Sequence, residues 1–398
     1  MPYKPSLVIY YLFSALDTIG IQIFSGILYV YLLHYHFSMM QIGAYMSMFW
    51  LISTFTEISG GIFVDKYGAM TSLILSYCLR ILGLLSLLFP LGFYGLILGS
   101  LFSGTAESFS SGTLSSWIIT KAKTQNTLIA STQKITSKNA IISTLFSLIA
   151  TFIGTEILYN IDKKLPLFIA VVVYSILLLL TIPIFTKEKN HLVNDNSNTY
   201  KGSSNTLKEL KAMIKNFINY PFIWILLLAS VIVDIGPSNQ WQVLFYQNNR
   251  VQGYTIVLFN LIGIFTNTLL LKVSKKYQLF LENYIYQLLI LDIIIILLIS
   301  NQILNKDFFY LHVFIYGIIM SKIFVYLNDE FINESKKRTT ILSIFYMAQS
   351  MFTSIFLLIN GYLSEKIGFL NTWSIFSFCA LVLLLIYMVN RNKNIKRS

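Results

Sequence analysis

The chain has 398 residues, of which 56% are hydrophobic and only 12% charged, with a mean hydropathy of +0.68. Soluble domains carry roughly 25% charged residues, and no water-soluble fold of this length could hide so many apolar runs, so the bilayer is the solvent and a soluble enzyme is excluded. The formal charge of +12 is not read as a nucleic-acid signal, because the basic residues gather in the loops of one face.

Apolar runs such as 167–182 and 290–299 do not alternate with period two, so helices rather than barrel strands are expected to cross the membrane. In chain order the spans are expected at 6–33, 39–63, 70–89, 92–119, 136–159 and 165–185. After a polar stretch they resume at 220–247, 253–272, 279–300, 308–328, 339–362 and 369–390. The fold expected is an all-α integral membrane protein of about twelve transmembrane helices in two six-helix pseudo-repeats. Residues 1–186 form the N-terminal bundle, 187–219 a cytoplasmic linker, and 220–398 the C-terminal bundle with a short basic tail. Within the linker, 207–217 has the pattern of a short amphipathic helix with Lys208, Lys211 and Lys215 on one side.

With both termini placed in the cytoplasm, 22 of the 29 Lys and Arg residues fall in inside loops and tails and 5 in outside loops. From that bias both termini are expected inside, with an even number of spans. A faint repeat links the halves: Ser14 to Gly20 places Asp17 before a glycine in span 1, and Ser230 to Gly236 places Asp234 before a glycine in span 7. The two cysteines, Cys78 and Cys379, lie inside apolar runs and read as small packing residues, not as a disulfide or metal site.

Between spans 2 and 3 the chain reads Gly61-Ile-Phe-Val-Asp65-Lys66-Tyr-Gly68. Gly61 is expected to let two helices approach, Asp65 to cap or pair at a neighbouring helix end, Lys66 to face the cytoplasm and Gly68 to make the tight turn. A second copy, Gly361-Tyr-Leu-Ser-Glu365-Lys366-Ile-Gly368, joins spans 11 and 12. This loop resembles the cytoplasmic signature of the major facilitator superfamily. Phe55-Thr-Glu57-Ile-Ser-Gly60-Gly61 and the stretch from Ser103 to Thr113 resemble the second and fourth helices of its bacterial drug-efflux members. The basic residues that usually follow the second glycine are replaced by Ala69, Met70 and Thr71, and span 5 carries only Gly154 where proton-driven antiporters have a glycine-proline signature.

Charged residues within a bilayer cost about 2.5–3.5 kcal/mol each on insertion scales, which makes each a functional candidate. The resemblance implies that helices 1, 4, 7 and 10 line a cavity, and these carry Asp17, Glu107, Asp234 and Lys322. Lys322 is a candidate for coupling or substrate binding, with neutralisation of Asp234 or Glu107 as the alternative. Phe24 and Trp241, on roughly the same faces as the aspartates, are candidates for an apolar or cation–π wall. Gly236-Pro237 marks a helix kink beside Asp234. Asp65 and Arg80 are grouped as a cytoplasmic gate network, and Asp292 as a structural partner on a peripheral span.

These residues lead to a secondary active transporter: proton-coupled efflux of a lipophilic cationic or zwitterionic small molecule by alternating access. Proton exchange would occur on carboxylates whose affinity for protons burial raises. Alternatives are an importer or exporter of a specific metabolite or peptide, and a non-transporting immunity or sensor protein on a transporter scaffold. The expected partners are the solute, protons or another coupling ion, and the lipid of a bacterial plasma membrane, with the protein a monomer. No cofactor, metal or nucleic acid is expected, and no nucleotide-binding loop or catalytic triad pattern is present to make the chain an ATPase or another enzyme.

Overall fold

The computed structural model describes residues 3–89, 91–124, 130–192, 221–247, 250–251, 253–272, 284–330 and 338–395. The expected amphipathic segment 207–217 and most of the linker lie outside the described residues. Apart from turns and one pair of two-residue antiparallel strands, Tyr246–Gln247 and Arg250–Val251, the described chain is helical.

Contacts divide the chain into two units. The first takes in Met1–Asn198 and the segment Phe245–Val257. Its helices are α1 (Tyr3–Ser25), α2 (Leu28–His34), α3 (Met39–Tyr67), α4 (Ala69–Leu88), α5 (Gly92–Ser110), α6 (Thr113–Thr124), α7 (Ala130–Phe152), α8 (Tyr159–Ile161) and α9 (Leu165–Leu192). Helix α3 starts at a capping box: the Ser38 hydroxyl accepts from the Gln41 amide, and the Gln41 side chain accepts from the Ser38 amide. It ends at Gly68, whose φ of +86° only glycine adopts without strain, and α4 starts at once from the same residue. Helix α9 continues to Leu192, beyond the expected end of span 6.

Helix α4 packs on α5 through small residues and a ladder of donors. Ser72 donates to the Phe109 carbonyl and Ser76 to that of Ala106, each at 2.8 Å or less. One turn further, Arg80 donates to the Ser103 carbonyl, and a side chain at Gly83 would collide with Ser103. Helix α1 lies against α7 and α9. Its backbone meets α7 where the latter widens into a π-helical turn, Ile153–Leu158: a β-carbon on Gly154 would run into the Ile23 carbonyl. Glu156 in that turn accepts from the Gly253 amide at 2.8 Å.

The second unit takes in Thr199–Leu244 and Leu258–Ser398. It contains α10 (Pro221–Leu244), most of α11 (Gly253–Lys272), α12 (Ile285–Ser300), α13 (Phe309–Glu330), α14 (Arg338–Ile367) and α15 (Phe369–Ile395). Helix α10 packs on α14 and α15, and α12 on α13 and α15. Gly368, at the junction of α14 and α15, repeats the turn at Gly68 with φ +87°.

Six stretches among the described residues are long and apolar enough to cross a membrane on their own: Ser6–Ser25, Ala69–Leu88, Ile135–Ile161, Leu165–Ile184, Gly253–Leu270 and Phe369–Met388. Helix α3, bent by 48° between Glu57 and Ser59, makes a seventh if counted as one span. Helices α5, α10 and α13, which carry Glu107, Asp234 and Lys322, are not among these stretches. The outward surface is apolar, with Phe168, Ile176 and Leu179 of α9 and Phe378, Leu385 and Ile386 of α15 exposed, as lipid contact requires. Both cysteines are free and exposed on helix faces, and so are not the packed residues expected.

Candidate functional site

In the first unit the acids of the apolar interior converge on one guanidinium. Arg80 of α4 is buried and forms an ion pair with Glu107 of α5, whose side chain is 38% exposed. Its plane lies over the ring of Tyr174 of α9, 5.8 Å from the centroid. The Tyr174 hydroxyl donates to the Asp17 carboxylate at 3.2 Å. Tyr77, three residues before Arg80 and therefore on the same face of α4, brings its ring within 6.0 Å of Tyr174. Four helices thus supply one charged cluster. Gly20 makes it possible, because a β-carbon there would strike the Tyr174 ring.

The second unit repeats the device with different chemistry. A β-carbon on Gly236 would strike the indole of Trp373 on α15. That indole donates to Gln240 at 2.7 Å, and Gln240 donates in turn to Ser364 of α14. Asp234, two residues before the glycine, is half-buried and meets His312 of α13 at 3.3 Å through Nε2. The other ring nitrogen, Nδ1, meets Asp292 of α12 at 2.8 Å. His312 and Asp292 are both buried, and the ring is flanked by Phe309 and Tyr316 of its own helix.

The sequence-based assignments fare unequally. Asp17 and Glu107 are brought to one cluster, and Asp234 to another. Arg80 belongs with the first of these rather than with Asp65 at the helix junction: it lies eleven residues into α4, about 16 Å from its start. Glu107 pairs with Arg80 and Asp234 with His312. Lys322 is buried on α13 ten residues beyond His312. Gly61 is exposed and nothing comes within 4 Å of a β-carbon built on it, so it is not the close-approach residue; its neighbour Gly60 is, against the Ser108 carbonyl. Asp65 and Lys66 are exposed, Lys66 lies over the Tyr67 ring, and α4 has no side-chain cap. Trp241 is buried edge-on against Phe259, a packing role, and Phe24 lies two turns beyond Asp17 on α1. Pro237 sits inside an uninterrupted α10, where it removes the amide that the Val233 carbonyl would use.

His312 and Tyr174 were missed. The signal available for His312 was a histidine within an apolar run, which a formal charge count sets at zero.

No family model matches the chain. Over 276 residues it is 23% identical to the uncharacterised MFS-type transporter YxaM of Bacillus subtilis (strain 168), covering 68% of this chain and 67% of that one. Among solved structures it is similar to the nucleoside transporter NupG, with a TM-score of 0.72 and 18% identity over 98% of this chain and 99% of the other. It is also similar to a POT family transporter in complex with 5-aminolevulinic acid, with a TM-score of 0.66 and 13% identity over 97% and 96%.

Proposed function

Since the chain has the major facilitator fold of multi-pass membrane transporters and resembles that superfamily in sequence, we propose that it is a secondary active transporter that exchanges protons against a cationic or zwitterionic small molecule by alternating access. The observation that carries this reading is the placement of Asp17 and Asp234. Each is a half-buried carboxylate in an apolar interior, held by a buried partner on another helix. A cation bound beside such a carboxylate competes with a proton for it. Glu107 supplies the counter-charge of Arg80, a permanent cation that cannot itself exchange a proton.

The rest of the sequence reading joins this proposal. Twelve spans form two six-helix halves, 1–186 and 220–398, joined by a cytoplasmic linker, with both termini inside a bacterial plasma membrane and the Asp65–Gly68 loop at the cytoplasmic gate. Efflux is the direction the sequence motifs favour. A second reading, uptake of a nucleoside- or peptide-like metabolite, draws on the similarity to NupG and the POT transporter.

The test is proton flux in proteoliposomes that enclose a pH dye, with a pH gradient imposed and organic amines, nucleosides and dipeptides added in turn. Amines should dissipate the gradient, and Asp17→Asn or Asp234→Asn should abolish that effect while leaving the protein folded. Dissipation by nucleosides or dipeptides alone would install the second reading. Normal proton exchange in both variants, or none with any solute, removes carboxylate coupling.

A further inference from the structure

His312 is held by two acids at once, and the count of protons this needs is informative. A neutral imidazole has one N–H and one lone pair. Here both ring nitrogens face carboxylate oxygens, Nδ1 at 2.8 Å from Asp292 and Nε2 at 3.3 Å from Asp234. Both contacts are attractive only if the three groups share two protons. Either the ring is an imidazolium between two carboxylates, or it is neutral and one of the acids is protonated. Both arrangements carry one negative charge. With a single proton, a lone pair would press against a carboxylate oxygen, and two net charges would stand in a bilayer interior where even one is costly.

Two further observations give the site a direction. Asp292 is fully buried, and its second oxygen, Oδ2, has no hydrogen-bond partner. Asp234 holds the longer of the two contacts and has a side chain 20% exposed. The closed end of the relay is therefore Asp292 and the open end Asp234. The ionisable groups that face the ring are Asp234 from α10, Asp292 from α12 and, one turn along α13, the phenol of Tyr316. Lys322 lies ten residues, about 15 Å, further along the helix.

We propose that Asp234, His312 and Asp292 form a single-proton exchange site that gives up its second proton when an ammonium group takes the place of His312 at Asp234. On release, the ring keeps one N–H toward Asp292 and turns its lone pair away, Asp234 is ionised, and the incoming cation restores the charge balance. The proton leaves by way of Asp234. The amine step rests on the transport reading above; the proton inventory does not.

The experiment uses the full chain in lipid nanodiscs without substrate. Histidine is isotope-labelled; the sequence has four, and His312→Gln identifies the resonances of His312. At neutral pH the ring should be doubly protonated, or else neutral with the infrared carbonyl band of a protonated carboxyl that disappears in Asp292→Asn or Asp234→Asn. A neutral ring with no such band overturns the site, whatever transport shows. Benzylammonium, with benzyl alcohol as its neutral control, is then added in weak buffer. One proton should be released per protein, and none from Asp234→Asn. A site that is protonated as described but releases nothing to benzylammonium overturns the exchange with amines, while the proton inventory stands.

Discussion

Glu107→Gln strands Arg80, and the structure says how much that should matter. Arg80 is buried and makes its ion pair with Glu107; Asp17 acts on it only at longer range. Removing one partner of a buried pair costs about 3–5 kcal/mol. The 38% exposure of Glu107 and the presence of Asp17 place the loss near the lower end, about 3 kcal/mol, or roughly a hundredfold in the unfolding equilibrium. The reverse change differs in kind. Arg80→Gln leaves acids that can rehydrate or take up a proton, whereas a guanidinium cannot lose one, so its cost should be about 1–2 kcal/mol. The double variant should then resemble Arg80→Gln and be more stable than Glu107→Gln alone. Reversible unfolding in mixed micelles with rising SDS, followed by the fluorescence of the five tryptophans, measures all three. A double variant no more stable than Glu107→Gln would refute the reasoning.

Two other outcomes are expected. Gly236→Ala should lower stability by about 1–3 kcal/mol through collision with Trp373, while Gly61→Ala, with open space around it, should leave the melting temperature of the detergent-solubilised protein unchanged; equal effects would contradict the packing. A cysteine placed at Ser203 in the linker should resist an impermeant thiol reagent applied to intact cells, and efficient labelling would reverse the proposed topology.

The membrane class, the helical runs and the turn at Gly68 were legible because each is written locally, in apolar length or in one glycine. What could not be read was which helix faces which. Asp17 and Arg80 were visible as buried charges, yet spacing along one helix says nothing of the neighbour it meets, so Arg80 was grouped with Asp65 and its contact with Glu107 went unseen. The choice between Gly60 and Gly61 failed for a related reason. Adjacent residues on a helix point about 100° apart, so a shift of one position moves a glycine from the contact with α5 to open space. His312 escaped because its charge depends on the acids that fold against it, and those come from α10 and α12.

The two thiols have a practical consequence. Cys78 stands on α4 in the first unit and Cys379 on α15 in the second; both are exposed, and the sequence has no others. The unaltered chain therefore carries one natural attachment point for a nitroxide or a dye in each unit. A lipophilic methanethiosulfonate label at both would make a molecular ruler, read by pulsed electron resonance. Changes in that one distance across pH or added solute would report motion of one unit against the other, without a single substitution in the protein under study.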